Sequence, residues 1–188
     1  MYPAVGACGL DCVLCARYYT EGKSKCHGCG SAYSYAAVGC KIFRCCVKEK
    51  NFETCAECND FLCSKLEGAD KYDSFVTHRK MVPNLKFIKK HGIEEFLSEQ
   101  KKRQKLLERM LEQFNEGRSR TRYCVAATLL PIKALKKSLD LAKKKVKEKG
   151  VKDADLRSKA KILKEILNEL ALKERIDLKL RKPSDSKK

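Results

Sequence analysis

Eleven of the chain's twelve cysteines lie between Cys8 and Cys63, and that density limits what the first third of the chain can fold into. They fall as Cys8-x3-Cys12-x2-Cys15, Cys26-x2-Cys29, Cys40-x4-Cys45-Cys46 and Cys55-x2-Cys58-x4-Cys63. A C-x2-C pair offers two sulfurs from one tight turn, with backbone N–H groups turned towards them, and this suits a thiolate-bound metal. Cys26-His27-Gly28-Cys29-Gly30 is the best single example, because a glycine just after the pair accommodates the left-handed turn of a knuckle. His27, the second residue of that pair, is expected to point outward.

The opening Met1-Tyr2-Pro3-Ala4-Val5-Gly6-Ala7-Cys8 has no basic region followed by a long apolar one, so no secretory signal is expected. Unexported cysteines meet a reducing compartment, where disulfides are rare outside hyperthermophiles. Metal ligation is then the default use of so many thiols. A membrane span takes roughly 20 consecutive apolar residues. The longest apolar stretch, Val125–Ile132, is short and interrupted by Thr128 and Pro131. The expectation is a cytoplasmic protein without a membrane segment.

Charge divides the chain at the same place as the cysteines do. Of 42 Lys+Arg and 24 Asp+Glu in 188 residues, only 8 and 7 fall in residues 1–68. Residues 69–188 therefore carry 34 basic and 17 acidic groups, nearly all of the formal +18. The sequence predicts a cysteine-rich metal-binding module over 1–68, a basic helical domain over 69–180 and a flexible tail over 181–188. The module's apolar content is mostly Tyr18, Tyr19, Tyr33, Tyr35, Ile42, Phe43, Phe52, Phe61 and Leu62. So small a core usually needs a disulfide or a metal.

From about residue 70 the apolar period becomes helical. Leu106, Leu107, Met110, Leu111 and Phe114 predict a helix with Glu94 and Glu95 in its first turn, stopped at Asn115 and Gly117. Pro131 is placed at the first position of a second helix, whose seam is Ile132, Leu135, Leu139, Ala142 and Val146. Lys143–Lys149 and Gly150 close it. A third begins near Asp153 with the seam Leu156, Ala160, Leu163, Leu167 and Leu170. These seams are expected to pack on each other or on a protein partner. No strand pattern appears, so the fold class is a small irregular metal-stabilised module followed by an α-helical bundle, with little β.

Structural zinc takes four thiolates in a tetrahedron, and two such sites would use eight of the eleven clustered cysteines. A [4Fe–4S] cluster is the alternative, since thiolates serve both metals. The spacing Cys8-x3-Cys12-x2-Cys15 also occurs in radical S-adenosylmethionine enzymes. Those sit on a large α/β barrel, and nothing downstream here alternates strand and helix.

Cys8-Gly9-Leu10-Asp11-Cys12-x2-Cys15 with Tyr18 behind it, then Cys26-x-Gly28-Cys29, resembles the opening of the cysteine-rich family called domain of unknown function 3795. Cys40-Lys41-Ile42-x2-Cys45 and Cys55-x2-Cys58-x2-Phe61-x-Cys63-x2-Leu66 are similar to its second half. Leu62 stands where the family usually has proline, and Cys46 is an addition, the weakest ligand candidate of the eleven. The resemblance implies a metal-binding, zinc-type cytosolic protein with Cys8, Cys12, Cys15, Cys26, Cys29, Cys40, Cys45, Cys55, Cys58 and Cys63 as ligand candidates. It supplies no reaction. The grouping favoured from sequence is Cys12, Cys15, Cys26 and Cys29 in one set and Cys45, Cys55, Cys58 and Cys63 in another, with Cys8 and Cys40 completing either.

Elsewhere Arg118, Arg120 and Arg122 alternate before Cys124; in an extended loop they would face one way as an anion site. Cys124 reads either as a buried helical thiol or as a thiol activated by those arginines. His78 and His91 are expected at the surface. No nucleophile–base order, HExxH, phosphate-cradling glycine loop or dinucleotide fingerprint is present, so a binding or adaptor role is favoured over an enzymatic one. The basic half would attract polyanions, nucleic acid included, without specificity, because residues 100–188 offer only Phe114 and Tyr123 for stacking.

Overall fold

The computed structural model describes residues 2–29, 31 and 39–183. Tyr33, Tyr35 and Gly30, named above for the core and the knuckle, lie outside them, as does the tail from 184. Six α-helices follow in order among the described residues: α1 Lys41–Phe43, α2 Met81–His91, α3 Ile93–Phe114, α4 Arg120–Leu129, α5 Ile132–Glu148 and α6 Leu156–Lys173. Before α2 the described residues otherwise form 3-10 turns at Cys12–Leu14, Ala16–Tyr19, Gly22–Ser24 and Cys55–Glu57, a π-helical turn at Arg44–Glu49 and irregular loops. The only strand-like pairing among the described residues is one bridge, Val5 to Asp11. The chain is thus mostly helical with little β. No described helix is long and apolar enough to cross a membrane.

The structure divides into two compact units, one of residues 2–100 with 180–183 and the other Lys101–Lys179. The composition change at 68/69 lies inside the first of them. Its core draws Val5, Ala7 and Leu66 from the cysteine segment, and Met81, Leu85, Ile88 and Phe96 from α2 and the start of α3. The apolar residues expected to form this core contribute unequally: Phe43 is buried, Ile42, Phe52 and Phe61 pack at its margin, and Leu62 is exposed. Helix α2, whose buried positions Met81, Asn84, Leu85 and Ile88 recur at helical spacing, supplies what the segment lacks. Gly92, at φ 86°, ends it.

Arg181, expected to open a frayed tail, is instead held. Its N–H donates to Asp73 Oδ2 at 2.7 Å, and its guanidinium reaches Asp70 O and Asp73 Oδ1. His78 is half-buried, its ring placed 2.9 Å from Ala69 O and 2.9 Å from Ser74 Oγ. His91 is exposed as expected.

In the second unit α5 and α6 pack on each other, burying Leu135, Leu139, Leu163 and Leu167. The seams are therefore spent within the chain. Helix α6 starts at Leu156, with the Asp155 side chain accepting from Ser158 N at 3.0 Å, and α5 starts one residue after Pro131. Every residue of Tyr123–Leu130 is buried, which accounts for that apolar run. The guanidinium of buried Arg103 donates to Ala127 O at 2.8 Å and Leu130 O at 2.7 Å, satisfying carbonyls at the end of α4. Arg103→Met is expected to lower the stability of this unit by about 2 kcal/mol, the scale of lost charge-assisted hydrogen bonds. Urea unfolding followed at the second unit checks this; an unchanged midpoint would show that the cap is not needed.

Candidate metal centre

The cysteine segment brings its sulfurs into two neighbourhoods. In the first, Gly6 N–H donates to Leu10 O and Gly9 N–H to Gly6 O, both at 2.8 Å, folding residues 6–10 into a tight loop. The Leu10 N–H points at the Cys8 sulfur, and the Arg17 and Tyr18 N–H groups point at the Cys15 sulfur. The Cys26–Cys29 knuckle turns at Gly28, inside the pair, with φ 89°; a Cβ there would lie 2.3 Å from Pro3 O. That turn delivers Cys29 Sγ to 3.9 Å from Cys12 Sγ. Four sulfurs about 2.3 Å from a tetrahedral zinc lie about 3.8 Å from one another, so this pair is already at ligand spacing. Cys8 adjoins them: a Cβ on Gly6 would meet Cys8 Sγ at 3.4 Å and Cys29 Sγ at 3.5 Å. Cys40, whose sulfur accepts from Phe43 N at 3.4 Å, lies within the electrostatic reach of Cys8. Cys15 interacts with Cys26.

The second neighbourhood is a cavity of about 80 Å³ lined by Cys45, Cys46, Cys55, Cys58 and Cys63 with an apolar surround from Ile42, Phe52 and Leu66. Cys45 and Cys46 reach it from a π-helical turn, Arg44–Glu49, that continues α1. Turns of this kind recur at functional sites. Cys55 is set by its N–H, which donates to Ala7 O at 2.8 Å, and by Glu57, whose Oε1 accepts from Thr54 N at 2.7 Å. Lys50 closes the rim, 3.3 Å from Cys58 Sγ and 2.6 Å from Asp60 Oδ2. Cys46, read from sequence as the weakest candidate, is buried against Cys55 and lines this cavity with the others.

Among the described residues no three Cys, His, Asp or Glu side chains form a closed coordination set. The donor chemistry nonetheless suits a thiophilic metal: soft sulfur ligands, several accepting backbone N–H bonds, with shared burial. The sequence-favoured quartet of Cys12, Cys15, Cys26 and Cys29 appears as the close pair Cys12–Cys29 joined by Cys8, with Cys15 beside Cys26. Cys45, Cys55, Cys58 and Cys63 are brought to one cavity. His27 is exposed.

Burial sets the titration of these thiols. Desolvation pushes Cys8 up to about 12 from the ordinary 9.0. It also raises Cys15. Cys12 donates its S–H to Cys29; that bond, with burial, raises Cys12, and against burial it lowers Cys29. Cys55 is likewise raised and Cys46 lowered by the hydrogen bond between them. In a metal-free chain the neutral thiols Cys8, Cys12, Cys15 and Cys55 favour the fold fully below pH 9.0, and that contribution disappears as pH rises towards about 12 for Cys8. With metal bound the sign reverses, because ligation requires thiolates and protons compete for them. Melting temperature against pH is therefore expected to fall with rising pH above 9 in chelated protein and to fall with falling pH in loaded protein. Parallel profiles would contradict thiolate ligation.

Asn84, which the sequence reading did not single out, supports the first neighbourhood from α2. Its buried Nδ2 donates to Gly9 O at 2.8 Å and to Asp11 Oδ1 at 3.0 Å. An isolated Asn inside a helix carries no sequence signal; its role depends on which loop the helix meets. Asn84→Ala is expected to cost about 1–3 kcal/mol by stranding buried acceptors, with a matching loss of metal affinity measured by competition with a chromophoric chelator. Unchanged affinity would make Asn84 a fold residue only.

The arginine expectation changes. Arg120 and Arg122 lie in the first turn of α4, where residues two apart do not share a face. Arg122 is bonded to Asn168 Oδ1 at 2.9 Å. Arg118, Arg120 and Arg122 thus do not form the one-sided fork of an extended loop. Cys124 is a buried thiol of α4.

Residues 4–68 match the model of the family described as "Protein of unknown function (DUF3795)", the family that the cysteine spacing resembles. No curated protein and no solved structure matches the chain.

Proposed function

We propose that the cysteine segment is a metal centre in which thiolates hold structural zinc in two neighbourhoods, and that the chain acts in the cytoplasm as a binding or adaptor module. One observation carries the metal reading: Cys12 and Cys29, seventeen residues apart in sequence, have sulfurs 3.9 Å apart beside Cys8, in loops whose N–H groups are turned onto sulfur. In the first neighbourhood Cys8, Cys12, Cys29 and Cys40 would hold the ion. In the second, the ligands would come from Cys45, Cys46, Cys55, Cys58 and Cys63. Bound zinc would contribute folding energy, since these loops present few apolar groups of their own.

A second reading, a [4Fe–4S] cluster, draws on the cavity with five thiols and an apolar surround. Elemental analysis of anaerobically purified native protein separates the two. Colourless protein with about two zinc per chain, the number two tetrahedral sites require, supports the first. Brown protein with iron and acid-labile sulfide overturns it in favour of the second, and metal-free native protein overturns both.

A further inference from the structure

A separate feature of the second unit has no part in the metal centre. We propose that the cleft at the mouth of the α5–α6 hairpin binds a compact polyphosphate group, of the di- or triphosphate class. The cleft measures about 550 Å³, and its cationic lining is Lys143 and Lys147 from α5, Lys152 from the connecting loop and Lys159 from α6. A volume of that order is typical of small-ligand sites.

The floor is the telling part. The Lys159 side chain is 12% exposed, and its ammonium bonds Asp153 O and Asp153 Oδ1, each at 3.4 Å, from an Asp side chain that is fully exposed. The Phe114 ring lies 5.9 Å from its ammonium. Buried ammonium groups ordinarily have close partners at about 2.9 Å. Lys159 reaches its two acceptors only at 3.4 Å. On α5, Lys143 and Lys147 stand one turn apart on one face, where like charges repel. Their neighbour Lys144 has Glu148 at 3.7 Å. Among the described residues no carboxylate pairs with Lys143, Lys147 or Lys152. Four lysines and one aspartate thus line one open cleft.

Lysine ammoniums bind phosphate as point charges, and several around one cleft suit a ligand whose charges are equally close together. A nucleic acid strand is the poorer fit. The one aromatic residue in the cleft, Phe114, is 1% exposed and presents no face for a base to stack on.

The test is titration of the full-length, metal-loaded chain with inorganic tripolyphosphate at roughly 0.15 M salt, where diffuse surface attraction is screened, followed by calorimetry. Saturable binding is expected. Lys159→Met, which keeps the aliphatic packing, and Lys147→Gln, on the exposed helix face, should each weaken it about tenfold or more, the loss of one charge-assisted bond. Lys144→Gln should leave it unchanged. If Lys159→Met melts early, Lys147→Gln decides alone. No binding of tripolyphosphate, equal weakening by all three substitutions, or binding of single-stranded RNA but not of tripolyphosphate would each overturn the proposal.

Discussion

If thiolates hold zinc as proposed, treating native protein with a strong chelator is expected to unfold the first unit while α4, α5 and α6 keep their amide protection. The reason is where each unit finds its core. The second unit buries Leu135, Leu139, Leu163 and Leu167 between helices that need no ion. The first buries Val5, Ala7, Leu66, Met81, Leu85, Ile88 and Phe96, and three more of its core positions are the thiols Cys8, Cys46 and Cys55. Its turns before α1 are single 3-10 turns with few ladder hydrogen bonds. Zinc bound to thiolate knuckles supplies about 10–16 kcal/mol in small domains, more than a core of that size offers. Hydrogen exchange with mass spectrometry reads both units at once. Exchange over residues 8–66 should rise to the unfolded rate after chelation and return on adding zinc. Full protection there in metal-free protein would show that docking of α2 suffices.

Gly9→Ala is expected to be strongly damaging for a single added methyl group. Gly9 sits at φ 83°, and a Cβ would stand 2.4 Å from Met81 O and 2.8 Å from Leu85 Cγ. The left-handed conformation costs a side chain about 1–2 kcal/mol, and forcing backbone apart in a packed site costs about 1–3 kcal/mol more. The first unit should lose about 3 kcal/mol or more, together with metal affinity, because the same loop sets Cys8 and Cys12. Gly28→Ala, whose Cβ would lie 2.3 Å from Pro3 O, should behave alike. Gly68→Ala is the control: it shares the positive φ, at 68°, but its Cβ meets nothing within 4 Å. It should cost about 1 kcal/mol, the strain alone. Denaturant midpoints of the three variants check this order, and equal losses would remove the role assigned to close packing.

Much of this was legible in the sequence where the signal is local. Cysteine spacing marked the segment, and helical period placed α3, α5 and α6 to within a few residues because long amphipathic helices repeat their pattern many times. What escaped was long-range. That α2 belongs with the cysteines depends on Asn84 and Leu85 meeting a loop seventy-odd positions earlier, a match no period records. The same holds for Arg181 closing on Asp73 and for Cys46 lining a cavity whose other cysteines lie up to 63. Arg118, Arg120 and Arg122 misled because alternation implies one face only in extended chain, and α4 begins at Arg120. Cys12 facing Cys29 also depends on tertiary folding, since the C-x2-C spacing specifies the turn and not its partner.

X-ray absorption on the purified native chain tests the metal account most directly. The account predicts a zinc edge and a first shell of sulfur alone at about 2.3 Å, four per metal. A shell of oxygen and nitrogen donors, or an ion shared with no sulfur, would contradict it.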